Sequence, residues 1–85
     1  MTGVLDLEAM VLPAIHTVMS QMVRDDITDP VGMLRLLQGT MAPDAMVLRY
    51  GRVFRDLRGL YGFDGNEQIL EQAIRQAIDL AGSLM

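Results

Sequence analysis

The chain has no cysteine, no tryptophan and no lysine, one histidine, and four aromatic residues in 85. Each absence closes a class of function. Without Cys there is no disulfide framework and no thiolate ligand, so redox chemistry does not point to a compartment and the cytoplasm is simply the default. His16 alone does not assemble an ordinary zinc site within one chain. Ser20 lies four residues from His16, but no third group is placed to orient the imidazole, and neither Ser20 nor Ser83 stands in a Gly-x-Ser-x-Gly setting. Glycines at 51, 59, 62 and 65 lack the spacing of a phosphate-cradling loop. No cofactor, metal or catalytic constellation is therefore expected.

Long apolar runs are missing as well. The longest, Ala9 to Ile15, is far short of the ~20 residues that span a bilayer and includes Pro13. Met1 to Leu12 carries Asp6 and Glu8 and no basic residue, which does not fit a signal peptide. No segment alternates at period two for long enough to form a strand. The Asp25-Asp26-Ile27-Thr28-Asp29 run lacks the glycine and downstream glutamate of a calcium loop and reads as a connection.

What the chain does have is apolar content. Hydrophobic residues make up 51% of it, charged residues 21%, and the mean hydropathy is +0.26. Eighty-five residues make one domain, residues 1–85, which buries only about 60–65% of the surface of its unfolded form. That is more apolar material than a small monomer needs, and the usual outlet is a subunit or partner interface. Eight methionines, three of them at positions 10, 19 and 22, suit an adaptable surface.

The periodicity predicts four helices, near residues 4–24, 30–38, 43–61 and 65–84, in a small all-α domain packed as an orthogonal or irregular bundle. The first is apolar on two sides. Leu5, Leu12, Ile15, Met19 and Met22 follow one seam, and Val4, Leu7, Val11, Ala14 and Val18 a second about 100° away. One seam is expected inside and the other on a partner, and the Leu5, Leu12, Ile15, Met19, Met22 seam is the candidate partner interface. Pro13 predicts a kink in a single helix rather than a split. Asp29-Pro30 opens a short second helix as N-cap and first helical residue, and Gly39 closes it. Asp64 with Glu67 imitates a capping box for the last helix, whose inner face is Ile69, Ala73, Ile74, Ala77, Ile78, Ala81 and Leu84.

The third helix sorts most cleanly. Met46, Val47, Tyr50, Val53, Phe54, Leu57, Leu60 and Tyr61 fall within roughly 140° of arc, and Arg49, Arg52, Arg55 and Arg58 spread over the other half. Met46 to Tyr61 has a balance of +3 in a chain totalling −4, so the remainder carries −7. The sequence pI near 4.6 argues against nucleic acid as the default partner. We expect these arginines to form a solvated face that pairs with acidic neighbours; the other reading is a face for an anionic partner. Arginine fills all seven basic positions, which either reflects codon usage, the reading we favour, or suits planar bidentate recognition.

Two family outlines are instructive. In size, acidity and helix number the chain resembles an acyl carrier protein, with Asp29-Pro30-Val31 near the place of that family's Asp-Ser-Leu motif. Proline stands where the serine bearing the prosthetic group would be, so the function is not carried over. Leu34 to Leu37, Gly39 and the Arg-bearing helix loosely resemble a helix-turn-helix, which implies a DNA- or RNA-binding regulator, although Arg35 stands where that motif needs a small residue. The expected function is a non-enzymatic protein–protein interaction module, that is, a small adaptor, chaperone-like or regulatory subunit, forming a homo-oligomer or joining a larger assembly. The alternative is a nucleic-acid-binding regulator presenting helix 43–61.

Overall fold

A computed structural model describes residues 4–62 and 67–84, with side chains from Asp6 onward. The described residues form four helices, α1 (Val4–Arg24), α2 (Pro30–Gln38), α3 (Asp44–Tyr61) and α4 (Glu67–Leu84), and contain no strand. The arrangement is a helical bundle, as the periodicity predicts. Asp64 and Gly65, in the predicted capping box and helix start, lie outside the described residues.

Local chemistry accounts for the boundaries. The Asp29 carboxylate accepts the Gly32 amide at 3.0 Å, and Pro30 follows it at the start of α2. α1 runs unbroken through Pro13. Pro13 and Ala9 are both exposed, so the Ala9 carbonyl that loses its amide partner is free to bond water, which lowers the cost of proline inside a helix. α1 ends in a Schellman motif, with Asp26 in the left-handed region at φ 65 and bonds from the Asp26 amide to Val23 O and the Ile27 amide to Met22 O. Ile27 then tucks against the core.

α2 ends at Gln38 with Gly39 as its C-cap, as expected, and closes in the same hydrogen-bond pattern. Gly39 keeps an ordinary φ of −84, and Thr40 takes the left-handed position at φ 58 while its amide and that of Met41 bond Leu37 O and Leu36 O. A β-branched residue is a poor occupant of that conformation.

The core is continuous through all four helices. Leu7, Val11, Ile15, Met19 and Met22 from α1 meet Leu34 and Leu37 of α2, Tyr50, Phe54 and Leu57 of α3, and a strip of α4 made of Leu70, Ala73, Ile74, Ala77, Ile78 and Ala81. α1 and α4 are the principal pair, and the alanines at 73, 77 and 81 let the two backbones approach. α2 runs antiparallel to α4, with Gln38 bonded to Glu71, Arg35 to Asp79, and Val31 against Gly82. The Cα envelope is 39 × 27 × 15 Å. A 15 Å thickness holds two helix layers at the usual spacing of roughly 8–10 Å.

Two substitution sets test this description by chemical denaturation. Thr40→Gly is expected to raise stability by roughly 0.5–1 kcal/mol, because relief of the left-handed strain exceeds the added freedom of the unfolded chain. A Cβ on Gly82 would lie 2.6 Å from Val31 Cγ2, whereas one on Gly59 meets nothing within 4 Å. Gly59→Ala should therefore stabilise α3 by about 0.5–1 kcal/mol, and Gly82→Ala should destabilise the fold even though alanine is the better helix former.

Candidate interaction face

The seam proposed on α1 is not an outward face. Ile15, Met19 and Met22 are between 0 and 1% exposed, and Leu12 is half-buried against the core. The side chain of Leu5 lies outside the described residues. The described part of the second seam is internal too, with Leu7 and Val11 buried and Ala14 and Val18 packed on the core. The reason is geometric: α1 has neighbours on both apolar sides, and between them α2, α3 and α4 cover both. The partner-interface reading of Ile15, Met19 and Met22 is corrected to core, with Leu12 packed against it.

The apolar surplus instead emerges on other helices and connections. Leu48 is 83% exposed, Met41 80% and Leu60 71%. Leu60 closes one edge of the apolar arc read on α3, and that edge turns out to be too far round to reach the core. Its centre, Tyr50, Phe54 and Leu57, is buried as the arc requires. Leu48 lies opposite that centre, in the middle of the arginines. It is the functional candidate that sequence reasoning missed, and the signal was available: it is the one large apolar side chain lying within the basic half of the helix.

The four arginines separate by partner. Arg49 Nε lies 3.3 Å from Asp25 Oδ2, and its guanidinium carbon sits 5.8 Å from the centre of the Tyr50 ring. Asp25 also accepts the Tyr50 hydroxyl and, at 3.1 Å, the Gln21 amide. This network fastens the start of α3 to the end of α1, where a carboxylate alone would oppose the helix dipole. Arg58 is more deeply structural. Its Nε bonds Glu71 at 2.6 Å and its Nη2 bonds the Gln38 carbonyl at 3.0 Å, so one side chain ties α3 to α4 and satisfies a carbonyl at the α2 terminus. Gln38 completes the cluster by donating to the Glu71 carbonyl and carboxylate.

Arg52 and Arg55 are different. Arg52 reaches only Asp56 on its own helix, at 3.7 Å with both groups well exposed, an interaction worth little. Arg55 is exposed and has no hydrogen bond or ion pair among the described residues. The same is true of Asp44 at the other end of the helix, which makes no capping bond. Leu48, Gly51, Arg52 and Arg55 border an open cavity of about 260 Å³ together with Leu37, Thr40, Val47, Phe54 and Arg58. Thus the basic half of α3 is partly paired with acidic neighbours and partly free.

No comparable chemistry gathers elsewhere among the described residues. His16 is exposed and makes no bond to Ser20. Among the described residues no group of three or more His, Cys, Asp or Glu is placed to hold a metal ion, and no helix is long and apolar enough to cross a membrane. Comparison of the chain with protein-family models, curated proteins and solved structures finds no match.

The networks give the fold a defined pH response. The Tyr50 hydroxyl, helped by Gln21 and by the charges of Arg49 and Arg24, holds the Asp25 carboxyl below its ordinary 3.8. Partial burial works to raise Glu71, but the Arg58 and Gln38 hydrogen bonds outweigh it and the net shift is downward from 4.5. Burial, and then the bond to Asp25, push the Tyr50 phenol above 10.0. Lowered carboxylates contribute stability that is present above their unfolded values and lost as pH falls through the folded ones. A raised phenol contributes stability that is present below 10.0 and lost as pH rises through its folded value. Stability should therefore fall below pH 4.5 and above pH 10.0, and Glu71→Gln should flatten the acid limb in urea titrations. Arg58→Ala should cost roughly 1–2 kcal/mol, whereas Arg55→Ala should stay within about 0.5 kcal/mol.

Proposed function

We propose that this chain is a non-enzymatic helical interaction module that works through the outer face of α3, by self-association or within a larger assembly as a small adaptor, chaperone-like or regulatory subunit. The observation that carries the reading is Leu48, a large apolar side chain 83% exposed at the centre of a helix face whose flanking Arg55 has no partner among the described residues. Water gains nothing from such a residue, and apolar anchors rimmed by arginine are the usual make-up of a protein–protein contact. Met41 and Leu60 extend the exposed apolar surface.

A nucleic-acid-binding regulator presenting helix 43–61 remains the second reading, and exposed Arg52 and unpaired Arg55 are the features that favour it. Against it, Arg49 and Arg58 are already engaged with Asp25 and Glu71, and Arg52 reaches Asp56, so this face offers few phosphate contacts. Fluorescence anisotropy with mixed-sequence duplex DNA separates the readings. No saturable binding is expected at moderate salt. Binding that weakens steeply with salt and disappears in Arg52→Gln/Arg55→Gln would replace the protein-partner reading with the nucleic-acid one.

A further inference from the structure

We infer that the outer face of α3 docks a second copy of this chain, helix against helix in antiparallel register; this rests on the interaction-module reading and specifies its partner. Asp44, Leu48, Gly51 and Arg55 follow one another at steps of four, three and four residues, which at 100° per residue places them within an arc of about 60°. The stripe is self-complementary. Positions 44 and 55 and positions 48 and 51 are centred on the same point, between Arg49 and Tyr50. A two-fold axis through that point sets Asp44 against Arg55 of the second copy, and Arg55 against its Asp44. It also sets each Leu48 over a Gly51.

Three features of the chain favour this occupant. Asp44 and Arg55 are opposite charges, and neither has a partner among the described residues; an isologous pairing satisfies both at once. Leu48, Gly51, Arg52 and Arg55 stand at i, i+3, i+4 and i+7, the four corners of the hole that receives a knob in helix–helix packing. All four border the 260 Å³ cavity, where Gly51 contributes no side chain. Leu48, 83% exposed, is the knob. One helix face is a small interface, so the dimer is concentration-dependent rather than obligate.

The test is sedimentation velocity on the full chain from roughly 1 μM to 1 mM, with circular dichroism confirming that each variant folds. The wild type should pass from monomer to dimer, and Leu48→Ala should weaken the dimer by about tenfold or more. Asp44→Arg places Arg against Arg at both ends, and Arg55→Asp places Asp against Asp. Each alone should weaken self-association by at least about tenfold. An equimolar mixture of the two should form a 1:1 heterodimer, and the Asp44→Arg/Arg55→Asp chain should recover dimerisation, because both restore opposite charges across the axis. Neither recovery is expected if the single substitutions act by unsettling the fold. Wild-type dimers that persist unchanged in both single variants would overturn this inference and leave the module reading standing on another face. A wild type that stays monomeric throughout would overturn both the inference and the self-association arm of that reading.

Discussion

Everything in this structure depends on how α1 is covered. A 21-residue helix that is apolar on two sides has to be enclosed by what remains of an 85-residue chain, and the enclosure uses the apolar side of every other helix. α4 contributes the alanine strip that allows close backbone approach, α3 contributes Tyr50, Phe54 and Leu57, and α2 contributes two leucines. Leaving the α1 side chains uncovered would cost roughly 1.5–3 kcal/mol each against a total stability of only about 4–13 kcal/mol. The chain therefore spends its inner faces on α1 and has nothing left to lay over the outside of α3.

Hydrogen-bonded charge holds that enclosure in register. Arg58 and Glu71 join three helices, and Asp25 with Tyr50 joins the end of α1 to α3. These bonds work because their surroundings are partly dry, where a charged donor and acceptor interact more strongly than at a wet surface. The same requirement separates the arginines of α3 into two groups. Those near the edge of the core have been recruited into the fold, and those on the far side, Arg52 and Arg55, have not.

The boundaries of α2 and the ends of α1 and α3 were legible because they rest on local chemistry. Asp29-Pro30 starts α2 for reasons contained in those two residues, and the 3.6-residue period of α3 selects Tyr50, Phe54 and Leu57 for burial. The fate of the α1 seams was not legible, since two apolar sides announce two neighbours without saying whether both belong to the same chain. The glycine at 39 closes α2 as expected. It satisfies the general preference for glycine near a helix end, yet the left-handed residue is Thr40, and only the hydrogen bonds to Leu36 and Leu37 reveal it. Leu48 was overlooked for a different reason: summing a helix into an apolar arc and a basic arc discards the residue that contradicts the division.

That residue, and the glycine one turn further on, change what the basic face means. A uniform row of arginines repels its own copy and attracts any anion. A row interrupted by an apolar knob and a bare backbone position, and bounded by one acid, has a direction and a complement. Gly51 costs α3 helical stability relative to alanine, and a Cβ there would lie 3.3 Å from Val47 Cγ1, close enough that the valine would have to shift. Gly51 also borders the cavity between Leu48 and Arg55. Thr40, held in a strained conformation at the end of α2, forms part of the same rim. A missing side chain, a stranded leucine and a strained corner meet at one cavity, and each is unfavourable for the isolated chain. They become mutually consistent when a second helix fills the space they surround.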